Sequence, residues 1–164
     1  MSKLAVAESD WIEIDEYEAS RDAWTATCPV LQHFRKQVLN ANLGVPDTLR
    51  VMLICGADVV ESFIVPNVWR VDHLGVILSK QHGVVALDRK GSDSKAIIFN
   101  SDYLYKRREN IIYAAQFVEN SISSTKVRLC VKRGFSIHYL VPQPVIPYIV
   151  ANKLYLDMSK KSSL

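Results

Sequence analysis

The chain has 164 residues, the size of one domain with room for a sizeable core. Its 49% hydrophobic and 23% charged content excludes a disordered chain, and no apolar run approaches the roughly 20 residues that a membrane helix needs. The net charge is only +3, yet Lys106, Arg107, Arg108, Lys126, Arg128, Lys132 and Arg133 gather in the second half, with Lys160 and Lys161 near the end. Such a cluster suits a phosphorylated partner, nucleotide or nucleic acid, or is simply solvated helix surface. Cys28, Cys55 and Cys130 are odd in number and far apart, without a CxxC pair. Cys55 and Cys130 have apolar neighbours, so buried free thiols in a reducing compartment are expected. The first residues lack the pattern of a secretory signal, which adds the expectation of a soluble intracellular chain.

In chain order, Trp11-Ile12-Glu13-Ile14 alternates as a short strand, and a helix is expected from about Glu18 to Val38. Asn40 to Asp47, with Gly44 and Pro46, forms a loop. Arg50 to Cys55 is an uninterrupted apolar run ended by Gly56-Ala57-Asp58, as for a strand buried on both faces. A short helix from Asp58 to Phe63 precedes Val65-Pro66-Asn67-Val68-Trp69, and a further helix is expected over Leu74–Gln81. Val84–Leu87 is a second strand, followed by a polar loop with Gly91, Ser92 and Asp93 and a third strand over Ile111–Ala114. A helix from near Ser124 stops at Gly134, with Lys132 and Arg133 in its last turn. An apolar segment runs from Val141 to Leu156. Strands spaced by helices predict an α/β fold with a parallel sheet and Rossmann-like connections, whose ligands bind beyond the carboxyl ends of the strands.

Three segments have chemistry to offer. In Ile122-Ser123-Ser124-Thr125-Lys126-Val127-Arg128, Ser123 or Ser124 is a natural helix N-cap. Lys126 and Arg128 oppose the helix dipole there unless an anion binds, when amides, hydroxyls and cations would converge on it. The alternatives are a phosphate site and an ordinary capped helix. In Cys55-Gly56-Ala57-Asp58 the glycine permits a close approach and Asp58 could accept a ribose hydroxyl; alternatively, the glycine makes a turn and Asp58 caps a helix. Trp69 could stack on a pyridinium ring or fill the core. Trp24 and Thr27 would share a helix face at i and i+3, where packing is the default.

These segments, in this order, resemble the eukaryotic nicotinamide mononucleotide adenylyltransferases. The matching stretches are WIEID from Trp11, Trp24, LICGAD, ESFIVPNVW, the Gly91-Ser92-Asp93 loop, Ser101 to Asn110, ISSTKVR, KRGFSIHYLVP and YIVANKLY. They cover nearly the whole chain except the Leu39–Leu49 loop. The resemblance implies one nucleotidyltransferase-like domain over residues 1–164 with a Rossmann-like parallel sheet. It implies transfer of the adenylyl group of ATP to nicotinamide mononucleotide or nicotinic acid mononucleotide, giving NAD or its acid analogue and pyrophosphate. Trp24 and Thr27 would then flank the mononucleotide, with Trp69 stacked on the pyridine and the Val68 backbone reading the carboxamide. Gly56 and Asp58 would face the adenylate and its ribose, Asn120 would contact the nucleotide, and Arg108 would hold loop geometry or phosphates. Ser123, Ser124, Thr125, Lys126, Val127 and Arg128 would bind the ATP phosphates. Mg²⁺ would accompany ATP; no residue is expected as a protein nucleophile or metal ligand.

The family opens with a strand entering a glycine-rich turn of GSFNP type and a histidine that contacts the ATP phosphates. None of His33, His73, His82 and His138 follows such a turn. The expected sheet therefore lacks the first two βα units, roughly 60 residues, and the Arg50–Cys55 strand loses pairing on one side. Either strand 11–14 moves in beside it, or the chain is a fragment or shortened isoform, weak or inactive as an enzyme. A non-catalytic isoform that binds the mononucleotide or pairs with full-length subunits is the alternative, and a homo-oligomer fits either. Pro144 and Pro147 predict a kink in the last helix. No membrane partner is expected, and no RRM- or KH-like pattern supports a nucleic-acid partner. The compartment expected is nucleus or cytoplasm rather than mitochondrion.

Overall fold

The structure, a computed structural model, describes residues 1–41, 44, 46, 48–88, 91, 93–118 and 120–156. Ser92, Lys160 and Lys161, and Asn42, Leu43, Val45 and Asp47 of the Asn40–Asp47 loop, lie outside the described residues. The chain forms two compact units, Tyr17–Glu119 and a second made of Met1–Glu16 with Asn120–Leu164. No helix among the described residues is long and apolar enough to cross a membrane.

The larger unit is a three-stranded parallel sheet in the order β1-β2-β3, with β1 at Val51–Gly56, β2 at His82–Asp88 and β3 at Ile111–Ala115. All three are short apolar runs, and each reaches the next through helices, so the fold is α/β with Rossmann-like connections. Helices α2 (Thr27–Asn40) and α3 (Ala57–Ser62) pack on β1, while α3 and α4 (Val71–Ile77) pack on β2. The core on that side joins Val84, Ala86 and Ile111 of the sheet to Cys28, Leu31, Val60, Leu74 and Ile77, with Leu53 and Cys55 packed against it.

The register Ile54–Val85–Ile112 places one row on the opposite face, where Ile54 is 66% and Ile112 is 48% exposed. The strand expected to be buried on both faces is therefore covered on one only. Among the described residues its outer edge has no strand partner. Trp11–Ile14 forms no strand, and Trp11 is 81% exposed. Its alternation gives a strand only if a neighbouring edge receives it, and it does not pair with β1.

Helix α2 begins at Thr27, not Glu18, because Pro29 has no N–H and its ring clashes with the carbonyl four residues back. In the third helical position that missing N–H belongs to the unpaired first turn and costs nothing. Trp24 consequently precedes the helix and does not share a helix face with Thr27. Helix α4 spans Val71–Ile77 instead of Leu74–Gln81, with Asp72 in its first turn suiting the dipole. The amino ends of the strands are locked together. Arg50 donates from Nε and Nη2 to the His82 carbonyl (3.0 and 2.7 Å) and from Nη2 to Asn110 Oδ1 (3.1 Å), while Asn110 Nδ2 donates to the Leu78 carbonyl (3.1 Å).

Helices α5 (Ser94–Phe99), capped by Asp93, and α6 (Asp102–Tyr105), capped by Ser101, lead through a 3-10 turn at Arg108–Asn110 into β3. All three cysteines are free, but Cys28 is the buried one, whereas Cys55 and Cys130 are half-buried. The neighbours of Cys28 in sequence include Thr27 and Pro29, so its burial follows from the inward face of α2 instead of an apolar run.

The smaller unit holds α1 (Ser2–Ala5), α7 (Ser124–Lys132) and α8 (Val145–Ala151). Its core gathers Val127, Ile137, Val145 and Ile149. Past α7, Gly134 adopts φ 73°. Its N–H and that of Phe135 return to the carbonyls of Val131 and Cys130, closing the helix as a glycine cap does. The expected kink in the last helix is absent: Pro144 is the N-cap and Pro147 the third residue of α8, both before any N–H is needed.

Candidate functional site

At the carboxyl end of β1, Gly56 precedes α3 in an extended conformation. A Cβ there would stand 2.5 Å from Asp58 Oδ1, so the glycine makes room for a carboxylate folded back over the turn. Asp58 makes no capping bond; it lies exposed in the first turn of α3. Burial, then the Asp58 charge, pushes the Cys55 thiol up to about 11.

From α3 the chain turns through Ile64–Asn67, where Asn67 takes a left-handed φ of 64°, and returns at Val68 and Trp69. The Val68 N–H is held by the Val65 carbonyl at 3.4 Å. The Trp69 indole is fixed on two sides. Its Nε1–H donates to Ser62 Oγ at 2.8 Å, Ser62 Oγ donates to the Val59 carbonyl at 2.6 Å, and the Phe63 ring meets it edge to face at 5.1 Å and 88°. An orientation held this firmly leaves a half-buried aromatic face in place.

That face lines a cleft of about 380 Å³ shared by Trp24, Thr27 and Val68 with Ala26, Val59, Ser62, Arg70 and His73. Its size is that of a small-molecule site. Four of the residues singled out in the sequence thus come together: Trp24, Thr27, Val68 and Trp69. Trp24 is 89% exposed and stands at the rim. Gly56 and Asp58 are not in the lining. Arg108 holds its own loop, donating from Nη1 to the Tyr105 carbonyl (2.9 Å) with its guanidinium 4.3 Å over the Tyr105 ring.

Sequence reasoning missed Ser62, Arg70 and His73. Their signal was adjacency: Arg70 follows the VPNVW motif, His73 lies four residues beyond Trp69, and Ser62 lies within ESFIVPNVW. Arg70 grips Asp72 with Nε to Oδ1 at 3.1 Å and Nη2 to Oδ2 at 2.7 Å. The Arg70 hydrogen bond holds the Asp72 carboxyl below its ordinary range.

In the other unit, Ser123 caps α7 by accepting from the Lys126 N–H at 3.2 Å, and Asn120 Oδ1 accepts from the Ile122 N–H at 2.8 Å. Lys126 Nζ donates to the Ser121 carbonyl (2.9 Å), and Arg128 Nη2 reaches Ser124 Oγ (3.4 Å). Among the described residues the N–H groups of Ser124 and Thr125 make no hydrogen bond, as the first turn of a helix requires. The Val127 side chain is buried in the local core and its N–H donates to the Ser123 carbonyl, so it supports the turn from behind. Ser123, Ser124 and Arg128 edge a cleft of about 290 Å³ within this unit.

No protein-family model matches the chain. It is 33% identical over 202 residues to nicotinamide/nicotinic acid mononucleotide adenylyltransferase 1 of Bos taurus, covering 100% of this chain and 70% of that protein. It is 39% identical over 157 residues to the nicotinamide/nicotinic acid mononucleotide adenylyltransferase of Oryza sativa subsp. japonica, covering 96% and 63%. To nicotinamide/nicotinic acid mononucleotide adenylyltransferase 1 of Saccharomyces cerevisiae it is 36% identical over 158 residues, covering 93% and 39%. The chain thus spans between 39% and 70% of the length of these three relatives. Aligned along its full length with the bovine protein and spanning more than two thirds of it, the chain belongs to the nicotinamide/nicotinic acid mononucleotide adenylyltransferase family.

Proposed function

We propose that this chain, a single nucleotidyltransferase-like domain over residues 1–164, serves the transfer of the adenylyl group of ATP to nicotinamide mononucleotide or nicotinic acid mononucleotide. The observation that carries this reading is the cleft that gathers Trp24, Thr27, Val68 and Trp69 around a fixed indole face. A pyridinium ring suits that face, since a delocalised cation is attracted to the electron-rich plane of an indole. Trp24 and Thr27 flank the mononucleotide, and the Val68 backbone reads the carboxamide through its carbonyl. Gly56 and Asp58 take the adenylate ribose. Asn120 contacts the nucleotide, and Arg108 holds its loop or a phosphate.

Ser123, Ser124, Thr125, Lys126 and Arg128, with Val127 behind them, take the ATP phosphates at the start of α7. Unpaired N–H groups, hydroxyls and two cations there suit an anion. A phosphate oxygen of the mononucleotide forms its bond to the α-phosphorus of ATP. The bond from that phosphorus to the bridging oxygen breaks, and the electron pair leaves on pyrophosphate. Such a step is served by positioning and charge neutralisation, without a protein nucleophile. Mg²⁺ belongs to the ATP substrate; among the described residues no group of three His, Cys, Asp or Glu side chains is gathered to hold a metal ion. The three free thiols suit a reducing compartment, nucleus or cytoplasm.

The 164 residues by themselves turn over slowly on this reading, because the phosphate ligands assigned above, Arg108 apart, all lie in or beside one helix start. The outer edge of β1, unpaired among the described residues, favours a second reading, a shortened form that keeps the mononucleotide or pairs with full-length subunits without catalysing the reaction. Calorimetry with each mononucleotide tests the site. Saturable heat is expected, lost in Trp69→Ala and kept in Lys126→Ala, whereas the heat with Mg-ATP falls in Lys126→Ala. Absence of heat with both mononucleotides refutes the reading. Slow formation of the dinucleotide is expected from ATP and mononucleotide, and rapid turnover refutes the claim of low intrinsic activity.

A further inference from the structure

The two mononucleotides differ only at the ring's 3-substituent, a neutral amide in one and a carboxylate in the other. A cleft that holds the pyridine against Trp69 distinguishes them through whatever charge lines it. The lining contains two basic side chains, Arg70 and His73. The Arg70 charge is engaged, since Asp72 grips the guanidinium with both carboxylate oxygens. His73 is half-buried on the first turn of α4, four residues beyond Trp69; its side chain has no hydrogen-bond partner among the described residues, and its charge is felt by Asp72. We propose that His73 is the specificity-determining residue of the mononucleotide cleft: its imidazolium favours nicotinic acid mononucleotide, and its neutral imidazole lets that preference fall away. The inference rests on the assignment of the cleft to the mononucleotide.

The surrounding charges leave this role to His73. Asp72 and Arg70, on the same segment, form an ion pair; the Arg70 hydrogen bond chiefly, with the His73 N–H and charge adding to it, holds the Asp72 carboxyl below its ordinary range, so Asp72 faces His73 as a carboxylate throughout. From α2, the Cys28 thiol is kept neutral chiefly by its burial. From α6, the Tyr103 hydroxyl donates to the Val71 carbonyl at 3.3 Å. From α3, the lining residues Val59 and Ser62 do not ionise. Imidazole is the group whose charge changes between pH 5 and 8. The substrate carboxylate is already ionised there, and the phosphate common to both mononucleotides titrates alike in each. The ratio of the two affinities therefore isolates the charge in the cleft.

The sign follows directly. A protonated His73 attracts the carboxylate, and the acid is preferred; a neutral imidazole gives no such attraction. The ratio of dissociation constants, amide over acid, is expected to fall about three- to fivefold from pH 5.5 to pH 8.5, the worth of one charge contact at a half-exposed site. Tryptophan quenching with each mononucleotide at five pH values in that range measures it on the full chain. In His73→Gln the ratio is expected to be flat. A flat ratio in the unaltered chain overturns the proposal without needing any variant, and so does a slope that survives in His73→Gln. Failure of the underlying assignment reads differently: neither mononucleotide then quenches at any pH.

Discussion

Replacing Gly83 by Ala tests whether the amino ends of the strands are locked as described. Gly83 lies in β2 opposite Met52 of β1. A Cβ there would stand 2.6 Å from Arg50 Nη2, 2.7 Å from the Met52 methyl and 2.8 Å from the Asn110 carbonyl oxygen. The methyl can swing aside. Arg50 can move only by giving up its bonds to His82 and Asn110, and the Asn110 carbonyl can move only with the turn that leads into β3. Overpacking of this kind costs about 1–3 kcal/mol, and losing hydrogen bonds to a charged group costs about 1.5–3 kcal/mol. Removing a strand glycine returns about 0.5–1 kcal/mol. The balance is a loss of about 1.5–5.5 kcal/mol, or roughly 3–22 °C in the melting temperature of a domain this size. Thermal unfolding followed by circular dichroism measures it. A fall of less than 2 °C would refute the claim that Gly83 is required by this cluster.

Other parts of the account can be tested as directly. Ser62→Ala leaves the Trp69 indole N–H without its acceptor. It should lower stability by about 1–3 kcal/mol in urea titration and shift the tryptophan emission, while Ser62→Thr should retain most of both. Ser123→Ala removes the cap of α7 and should cost about 1 kcal/mol by the same assay. The Cys55 thiol, raised by burial to about 11, contributes stability below the pKa of an unfolded thiol. That contribution should be lost as pH rises from 9 to 11, so the urea midpoint falls over that window and does so less in Cys55→Ala.

The parts of this molecule that could be read from its sequence are those decided by neighbours in the chain. Arg50–Cys55, Val84–Leu87 and Ile111–Ala114 read as short strands from their apolar runs between turn residues, and strands stand at Val51–Gly56, His82–Asp88 and Ile111–Ala115. Ser123 or Ser124 before a helical stretch and Gly134 after it announced both ends of α7; Ser123 is the N-cap, and Gly134 closes the other end. The reading failed where one residue overrode a pattern, or where a partner had to come from elsewhere. Pro29 forbids the helix that Glu18–Val38 otherwise suggests. Trp11–Ile14 has the alternation of a strand but takes no part in strand pairing. Which face of β1 is covered depends on where α2 and α3 pack, and Ile54 carries no mark of its exposure. At the cleft, Trp24, Thr27, Val68 and Trp69 were legible as a motif set. The Ser62 hydroxyl that fixes Trp69 and the Arg70–Asp72 grip were not, because each depends on where a side chain points after the chain has turned.

The central claim, that the cleft beside Trp69 receives the mononucleotide, can be read from the three indole N–H signals of Trp11, Trp24 and Trp69 in a nitrogen-15 NMR spectrum. Trp24 and Trp69 line the cleft, and Trp11 belongs to the other unit. Titration with nicotinamide mononucleotide should shift the signals of Trp24 and Trp69 with one common saturation curve and leave that of Trp11 in place. A titration that moves the Trp11 signal alone, or none of the three, would contradict the account.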